Sequence, residues 1–355
     1  MKKRVCSIIL SCLLFITMPL YFGTGALTAY AASDGEAVYK VAHYNIMGTF
    51  NADRNDVIDD IKGFSPDLIS LNEVNQYAYE DLVSSFAQKG YSCYGNSDWS
   101  PDSAEFKDIK AAWYNLALYK SDKFELLDSG MFTLSDNPDE NHSFISYMDE
   151  YTRTQREGRP RTCSWIYLKS KETGGKFIFA TVHAQHAKSD EYDYNNIGLT
   201  VLGEQLSELK EKYNCAVICA GDVNSTNPDE VVEFGFGAIN PGLPTFKSGS
   251  SIDNVFVTEG ITVENFDVGT SSKSDHMPVF ATLNVPVTKD LTDAQVLMIV
   301  IIIASAIVAS AVVVISVIFI NKKKEKNMKA ADDRVAEMRA KLAEYERVKE
   351  EQEKD

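Results

Sequence analysis

Acids, amides and imidazoles recur in this chain where short apolar runs end, and such groups move protons and hold cations. The clearest case is Cys215-Ala216-Val217-Ile218-Cys219-Ala220-Gly221-Asp222-Val223-Asn224. An apolar run this short, broken at Gly221, reads as a buried strand delivering Asp222 and Asn224 to the loop at its carboxyl end. If both lie on extended backbone their side chains share a face, because strand side chains alternate with period two. The carboxylate can then take a proton from water while the amide donates to an oxyanion. An Asx turn after a core strand is the alternative, since Asp and Asn favour turns on their own account.

Asn45, Glu73, His183, Asp253, Asp275 and His276 occupy comparable places, at the ends of other extended segments. Of five histidines, three (His183, His186 and His276) fall at or beside such ends. His183 and His186 have the spacing of a zinc pair, but that pair needs one helical face, which a strand end does not provide. His186 therefore reads as a surface or substrate-side residue.

The elements that must position these groups are short. Val38–Asn45, Leu68–Glu73, Trp113–Tyr119, Cys163–Lys169 and Lys176–Ala184 read as strands, as do segments after Ser251, near Ile261–Val268 and after His276. Val57, Ile58, Ile61 and Phe64 have helical spacing, stopped by Ser65-Pro66. A second helix covers about Asn195–Tyr213, with Leu199, Leu202, Leu206 and Leu209 on one face. The acidic, aromatic stretch Asp136–Tyr151 reads as a long loop. Strands outnumber helices, which points to mixed sheets with helices outside them.

The ordered set Tyr44-Asn45-Ile46, Leu71-Asn72-Glu73-Val74, Thr181-Val182-His183, Gly221-Asp222-Val223-Asn224, Ile252-Asp253-Asn254 and Ser274-Asp275-His276-Met277-Pro278-Val279 resembles the endonuclease/exonuclease/phosphatase superfamily, with its DNase I-like fold. Single three-letter matches arise by chance; six in the family's order do not. The resemblance spans about Val38–Val285. It implies an α/β fold, a four-layer α/β sandwich of two mixed β-sheets flanked by helices, with the site at one end of the sheets. It also implies hydrolysis of a phosphate-ester substrate with Mg²⁺, or Mn²⁺ as a substitute. By motif, Asn45, Glu73 and Asp275 would hold the metal. Asp222 would orient or deprotonate the attacking water and Asn224 would contact the phosphate. His276, oriented by Asp253, would meet the scissile phosphate, with His183 on the opposite side. Arg159 and Arg161 are both candidates for a family arginine near the site, and the sequence leaves the choice open. Two departures stand out: Met47 replaces a polar residue of some nuclease branches, and Asn75 stands where the DNase branch has an arginine that reaches into DNA.

Composition narrows the partners. The formal net charge of −16 disfavours duplex DNA without excluding it, since proteins that grip phosphates show a basic face. Lys2-Lys3-Arg4, an apolar stretch to about Phe22 and Ala29-Tyr30-Ala31 read as a signal peptide over residues 1–31. A domain over 36–287 follows. Residues 296–320 carry no charge and are long enough to form one C-terminal transmembrane helix. Lys322-Lys323-Lys324 beyond it mark the cytoplasmic side, so the expected topology is a single pass through the cell membrane with the large domain extracellular. The tail, 321–355, reads as a charged cytoplasmic helix. Ala331, Val335, Met338, Leu342 and Tyr345 give it two weak heptads, so self-association competes with a solvated single helix. Cys93, Cys163, Cys215 and Cys219 are too few for a disulfide scaffold, and buried thiols are the expectation; the pairing of Cys93 and Cys163 stays open. The functions left are a membrane-anchored phosphoesterase, a surface nuclease, or a binding ectodomain that has lost the chemistry.

Overall fold

Val41, His43 and Asn45 share one face of the first strand, and Ala42 and Tyr44 the other; this alternation organises everything that follows. The computed structural model describes residues 35–47, 54–97, 112–140, 146–148, 155–157, 161–186, 194–271, 273–287 and 293–352. Residues 1–31, expected to be a signal peptide, and Arg159 lie outside them, as do 141–145 and 149–151 of the loop expected over Asp136–Tyr151, within which Ser146–Met148 is a short strand. The chain divides into two units, one of them Ser33–Lys289 and the other containing the C-terminal helix.

Two six-stranded sheets make up the larger unit. The first comprises β1 (Glu36–Asn45), β2 (Leu68–Asn75), β3 (Tyr91–Ser97), β4 (Trp113–Lys120), β13 (Thr262–Val268) and β14 (Val279–Pro286), in the order β13-β14-β1-β2-β4-β3. The second comprises β5 (Phe124–Thr133), β8 (Thr162–Ser170), β9 (Lys176–His183), β10 (Ala216–Asp222), β11 (Phe236–Ala238) and β12 (Asp253–Thr258), in the order β11-β12-β10-β9-β8-β5. Only β1–β2 and β9–β10 pair in parallel among these neighbours, so both sheets are mixed. Short β6 (Ser146–Met148) and β7 (Gln155–Glu157) pair only with each other.

Between the sheets lies an apolar core that includes Val41, Leu68, Ala117, Phe177, Phe179, Ile218, Ala220, Val255 and Ala281. The outer face of the first sheet buries Ala42, Tyr44, Leu71 and Leu116 against α1 (Arg54–Lys62) and α2 (Gln76–Ala87), through Val57, Ile58, Ile61, Leu82 and Phe86. The second sheet does the same with α3 (Tyr194–Tyr213), whose Leu199, Leu202, Leu206 and Leu209 meet Ile178, Val182, Val217 and Cys219. Each buried leucine of that stripe is worth roughly 1.5–3 kcal/mol. The result is the four-layer sandwich. A one-turn α4 (Asp229–Glu233) follows β10.

The separate α5 (Asp293–Gln352) is a single sixty-residue helix whose most apolar window has mean hydropathy 3.1. Its length and composition suffice to cross a membrane. Ser305, Ser310 and Ser316 donate their hydroxyls to carbonyls four residues back, which satisfies those donors within the helix.

Candidate active site

On every central strand the inward face turns from apolar to polar at the same end. β1 runs Val41, His43, Asn45; β2 runs Leu68, Ser70, Asn72; β9 runs Phe179, Thr181, His183; β10 runs Ala220, Asp222. Strand register then aligns the polar residues. Asp222 sits opposite His183 on β9 and opposite Asp253 on β12, while Asn45 sits opposite Asn72. Gly221 lets this row form, because a Cβ there would overlap the backbone oxygen of Val182.

The two rows meet across the space between the sheets. Asn45 donates its amide to Asp222 Oδ2 at 2.9 Å, and Asp222's backbone N–H donates to Asn72 Oδ1 at 2.9 Å. Beneath them, Ser70 contacts Thr181 at 2.7 Å and donates to the carbonyl of Ala220 at 2.9 Å. Asn72 passes its own amide on to Asn115 at 3.0 Å. A buried polar layer is tolerable only when its members are paired in this way.

Glu73 reaches the site by a different device. In a regular strand it would face away from Asn72's side. The register of β2 against β4 slips between Leu71 and Val74, and Glu73 adopts a left-handed φ of 56°. Such a bulge re-aims a side chain. Its carboxylate, about a quarter exposed, accepts from Asn45 Nδ2 at 3.2 Å. His276 arrives on a loop held to β1, where Ser274 donates to the carbonyl of Asn45 at 2.6 Å, and its ring packs against Phe246. Its Nδ1 meets Asp253 Oδ2 at 2.8 Å.

Asp222 Oδ2 is thus surrounded, with His183 Nε2 at 3.6 Å and His276 Nε2 at 3.5 Å. Burial and the neighbouring Asp253 charge raise the pKa of Asp222, against His276 and the hydrogen bonds of Asn45 and Asn224. Burial would also raise Asp253, but hydrogen bonds from His276 and His43 override it and hold it low. For His276 burial pulls down, and the Asp253 bond with the charges of Asp253, Asp222 and Asp275 carries it up to about 9. His183 goes well below its usual value, through burial and then the Arg161 charge.

Asn45, Glu73, His183, Asp222, Asp253 and His276 are therefore brought together at one end of the sheets. Asn224 departs from the shared-face expectation. β10 stops at Asp222, Asn224 has a left-handed φ of 50°, and its N–H donates to Asp222 Oδ1 at 2.9 Å. This is the Asx-turn alternative, and it leaves Asp222 Oδ2 facing the site. Asn224's amide also donates to the carbonyl of Ala184. Asp275 is half-buried and pairs with Lys247 at 3.0 Å. His186 is exposed, away from the buried ring of His183. Arg161 stands at the site, 2.8 Å from His183 Nδ1, while Arg159 lies outside the described residues. Asn75 is buried and caps α2 by accepting from the N–H of Tyr77.

Two further residues complete the site, His43 outside the motifs and Asn72 inside one that assigns it no role. His43 donates or accepts at both ring nitrogens, to Asp253 Oδ1 at 2.8 Å and Ser70 at 3.0 Å, and Asn72 anchors the backbone of Asp222. Their signal was parity: His43 lies two residues before Asn45.

For a metal, the carboxylates of Glu73 and Asp222 converge on one Asn45 amide, a hard-oxygen set of the kind divalent cations take. Asp222, Asp253 and His276 also form a group with ligand atoms within 4.8 Å of one another. Both Asp253 oxygens in that group are already held by imidazoles, so Glu73, beside Asn45, is the better-placed donor.

Known proteins bear on these observations. A Bacteroides vulgatus endonuclease/exonuclease/phosphatase superposes with a TM-score of 0.57 at 20% identity, covering 70% of this chain and 99% of its own. A Bacteroides thetaiotaomicron mannosyl-6-phosphatase does so with a TM-score of 0.53 at 22% identity, covering 69% and 99%. At such identities the likeness is one of fold. The Ccr4 3'-5'-exoribonuclease subunit of the CCR4-Not complex from Emericella nidulans is 23% identical over 163 residues, 45% of this chain but only 23% of Ccr4. The model of the Endonuclease/Exonuclease/phosphatase family matches residues 42–276, every motif from Asn45 to His276 included, and the chain belongs to that family.

Proposed function

We propose that the unit Ser33–Lys289 is a divalent-metal-dependent phosphoesterase acting on phosphate esters, foremost phosphodiesters, of a small-molecule or lipid-borne substrate. The observation that carries this reading is one carboxylate, Asp222, flanked at 3.5 and 3.6 Å by two imidazoles of opposite charge tendency. Asn45 and Glu73, with Asp275 as a further acid, would hold Mg²⁺ or Mn²⁺, which would supply positive charge to the phosphate oxygens and make water a better nucleophile.

The chain's own residues do the rest. Asp222, a stronger base than an ordinary carboxylate, takes the proton of the attacking water. His276 is an imidazolium at neutral pH and donates from Nε2 to a phosphoryl oxygen, with Asp253 fixing Nδ1. Asn224 contacts the phosphate. Neutral His183, backed by Arg161, stabilises charge on the far side. A dissociative phosphoryl transfer needs little beyond such placement.

The phosphatase and exoribonuclease relatives support the reaction class. The apolar span of α5 and the lysines after it support a membrane-anchored enzyme whose catalytic unit lies outside the cell and whose tail is cytoplasmic. The Ccr4 likeness favours a nuclease as the second reading, against which stand the charge of −16 and an Asn75 spent on capping a helix.

The test uses the full chain in detergent, stripped of metal. Bis-p-nitrophenyl phosphate, its monoester, plasmid DNA and sphingomyelin are assayed with and without Mg²⁺ or Mn²⁺, beside His276→Ala. Metal-dependent turnover lost in the variant is expected. Faster cleavage of DNA than of the small esters would promote the nuclease. No turnover together with no metal binding by calorimetry would overturn the enzyme reading in favour of a binding module.

A further inference from the structure

We propose that His43 is a positioning residue for hydrolysis: it fixes Asp253, which in turn fixes His276. The inference rests on the phosphoesterase reading above.

A carboxylate held at one oxygen can still rotate about its own Cβ–Cγ bond. Asp253 is held at both: His276 Nδ1 lies 2.8 Å from Oδ2 and His43 Nε2 lies 2.8 Å from Oδ1. The two histidines come from different places, His276 from the loop before β14 and His43 from β1 of the opposite sheet. The His43–Asp253 contact therefore crosses the space between the sheets and ties β12 to β1 directly behind the reacting groups. Thr245 holds Asp253 from a third direction, accepting its backbone N–H at 3.0 Å.

His43 is itself immobile. It is fully buried, and its Nδ1 is engaged by Ser70 at 3.0 Å, whose hydroxyl also meets Thr181 and Ala220. A histidine that merely filled the core would serve no better than the valine two residues earlier on the same face. Here the ring spans two polar partners, one of them the acid on which His276 depends. Outer hydrogen-bond partners of this kind set the orientation of the groups that touch substrate.

Two substitutions separate positioning from packing. In His43→Gln the side-chain amide reaches about as far as imidazole Nε2 and can still donate to Asp253. In His43→Asn the shorter amide reaches only as far as Nδ1, toward Ser70. Both are made in the full chain in detergent. We expect His43→Asn to lower kcat on the order of 10- to 100-fold with KM little changed, and His43→Gln to stay near wild type. With histidines labelled with ¹⁵N, the hydrogen-bonded Nδ1–H signal of His276 should persist in wild type and His43→Gln and broaden away in His43→Asn. Equal kcat in the two folded variants, or a His276 signal unchanged in His43→Asn, would overturn the proposal. The NMR arm reads the Asp253 contact without turnover, so a wild type inactive on every ester would defeat the phosphoesterase reading while leaving the His43 arrangement separately judged.

Discussion

His276 and His183 approach the same oxygen of Asp222 from two sides, at 3.5 and 3.6 Å, and both rings are almost wholly buried. Burial pushes both pKa values down, yet only His183 stays down. The difference lies in each ring's charged partner. His276 has the Asp253 carboxylate at Nδ1, and His183 has the Arg161 guanidinium, 2.8 Å from Nδ1 and 3.2 Å from Nε2. An anion beside one imidazole and a cation beside the other make a charged donor and a neutral one from the same residue type. Two histidines alike in the sequence are thus set apart by their neighbours.

The broadest way to break this comparison is to remove each ring. His276→Ala should lower kcat on the order of 10³-fold with the fold retained, since it removes a charged group aimed at the phosphoryl oxygens. His183→Ala should cost less, on the order of 10²-fold, because a neutral donor stabilises developing charge more weakly. Steady-state kinetics on the preferred ester, with circular dichroism for folding, decides it. Equal losses would mean that charge state is not what separates the two sides.

How much of this was legible in the sequence depends on what each residue's neighbours reveal. The strands of the central rows were, because Leu68–Glu73 and Lys176–Ala184 are apolar runs between breakers. Two edge strands were not, although the edge strand β13 was: β5 exposes Glu125, Leu126 and Leu127 on successive positions, and β3 carries Gly95 and Asn96. Edge strands bury one face incompletely, so their alternation is blurred. Helix α2 hides Ala78, Leu82 and Phe86 in a run that starts inside a strand motif, and its cap, Asn75, reads in the sequence as a missing arginine. The motif residues of the site were legible; their charge states were not. The contact of Arg161 with His183 depends on the placement of the residue just before β8, and the opposite behaviour of the two histidines follows in part from that placement. Asn224 shows where two readings compete: in the loop after β10 its backbone takes the Asx turn rather than the extended form.

Stability against pH sharpens the same contrast without any turnover. In metal-free protein, His276 binds its proton more tightly folded, at about 9, than unfolded, near 6.5. Its contribution is fully present below about 6.5 and is lost as pH rises through about 9, an effect of about 3 kcal/mol at most. His183 is depressed in the folded state. Its contribution is present above the unfolded value of about 6.5 and is lost as pH falls below it. Denaturant unfolding in EDTA from pH 5 to 10 should therefore show two limbs. His276→Gln should flatten the alkaline one and His183→Gln the acid one. A single variant flattening both would show that the two titrations are one coupled event.

The smallest effect isolates the cation. Arg161→Leu removes the charge behind His183 and leaves the ring buried between β8 and β10. Because burial is the leading cause of the depression and Arg161 the second, His183's pKa should rise without reaching its ordinary value. The imidazole then gains a proton more readily in mildly acidic solution, and kcat/KM should fall about tenfold, the size of one lost charge-assisted contact. A ¹⁵N titration of the labelled histidines reads the first change and kinetics the second. A His183 that does not move would assign its neutrality to burial alone. The asymmetry between the two rings would then rest on Asp253, with Arg161 left to act on the substrate directly.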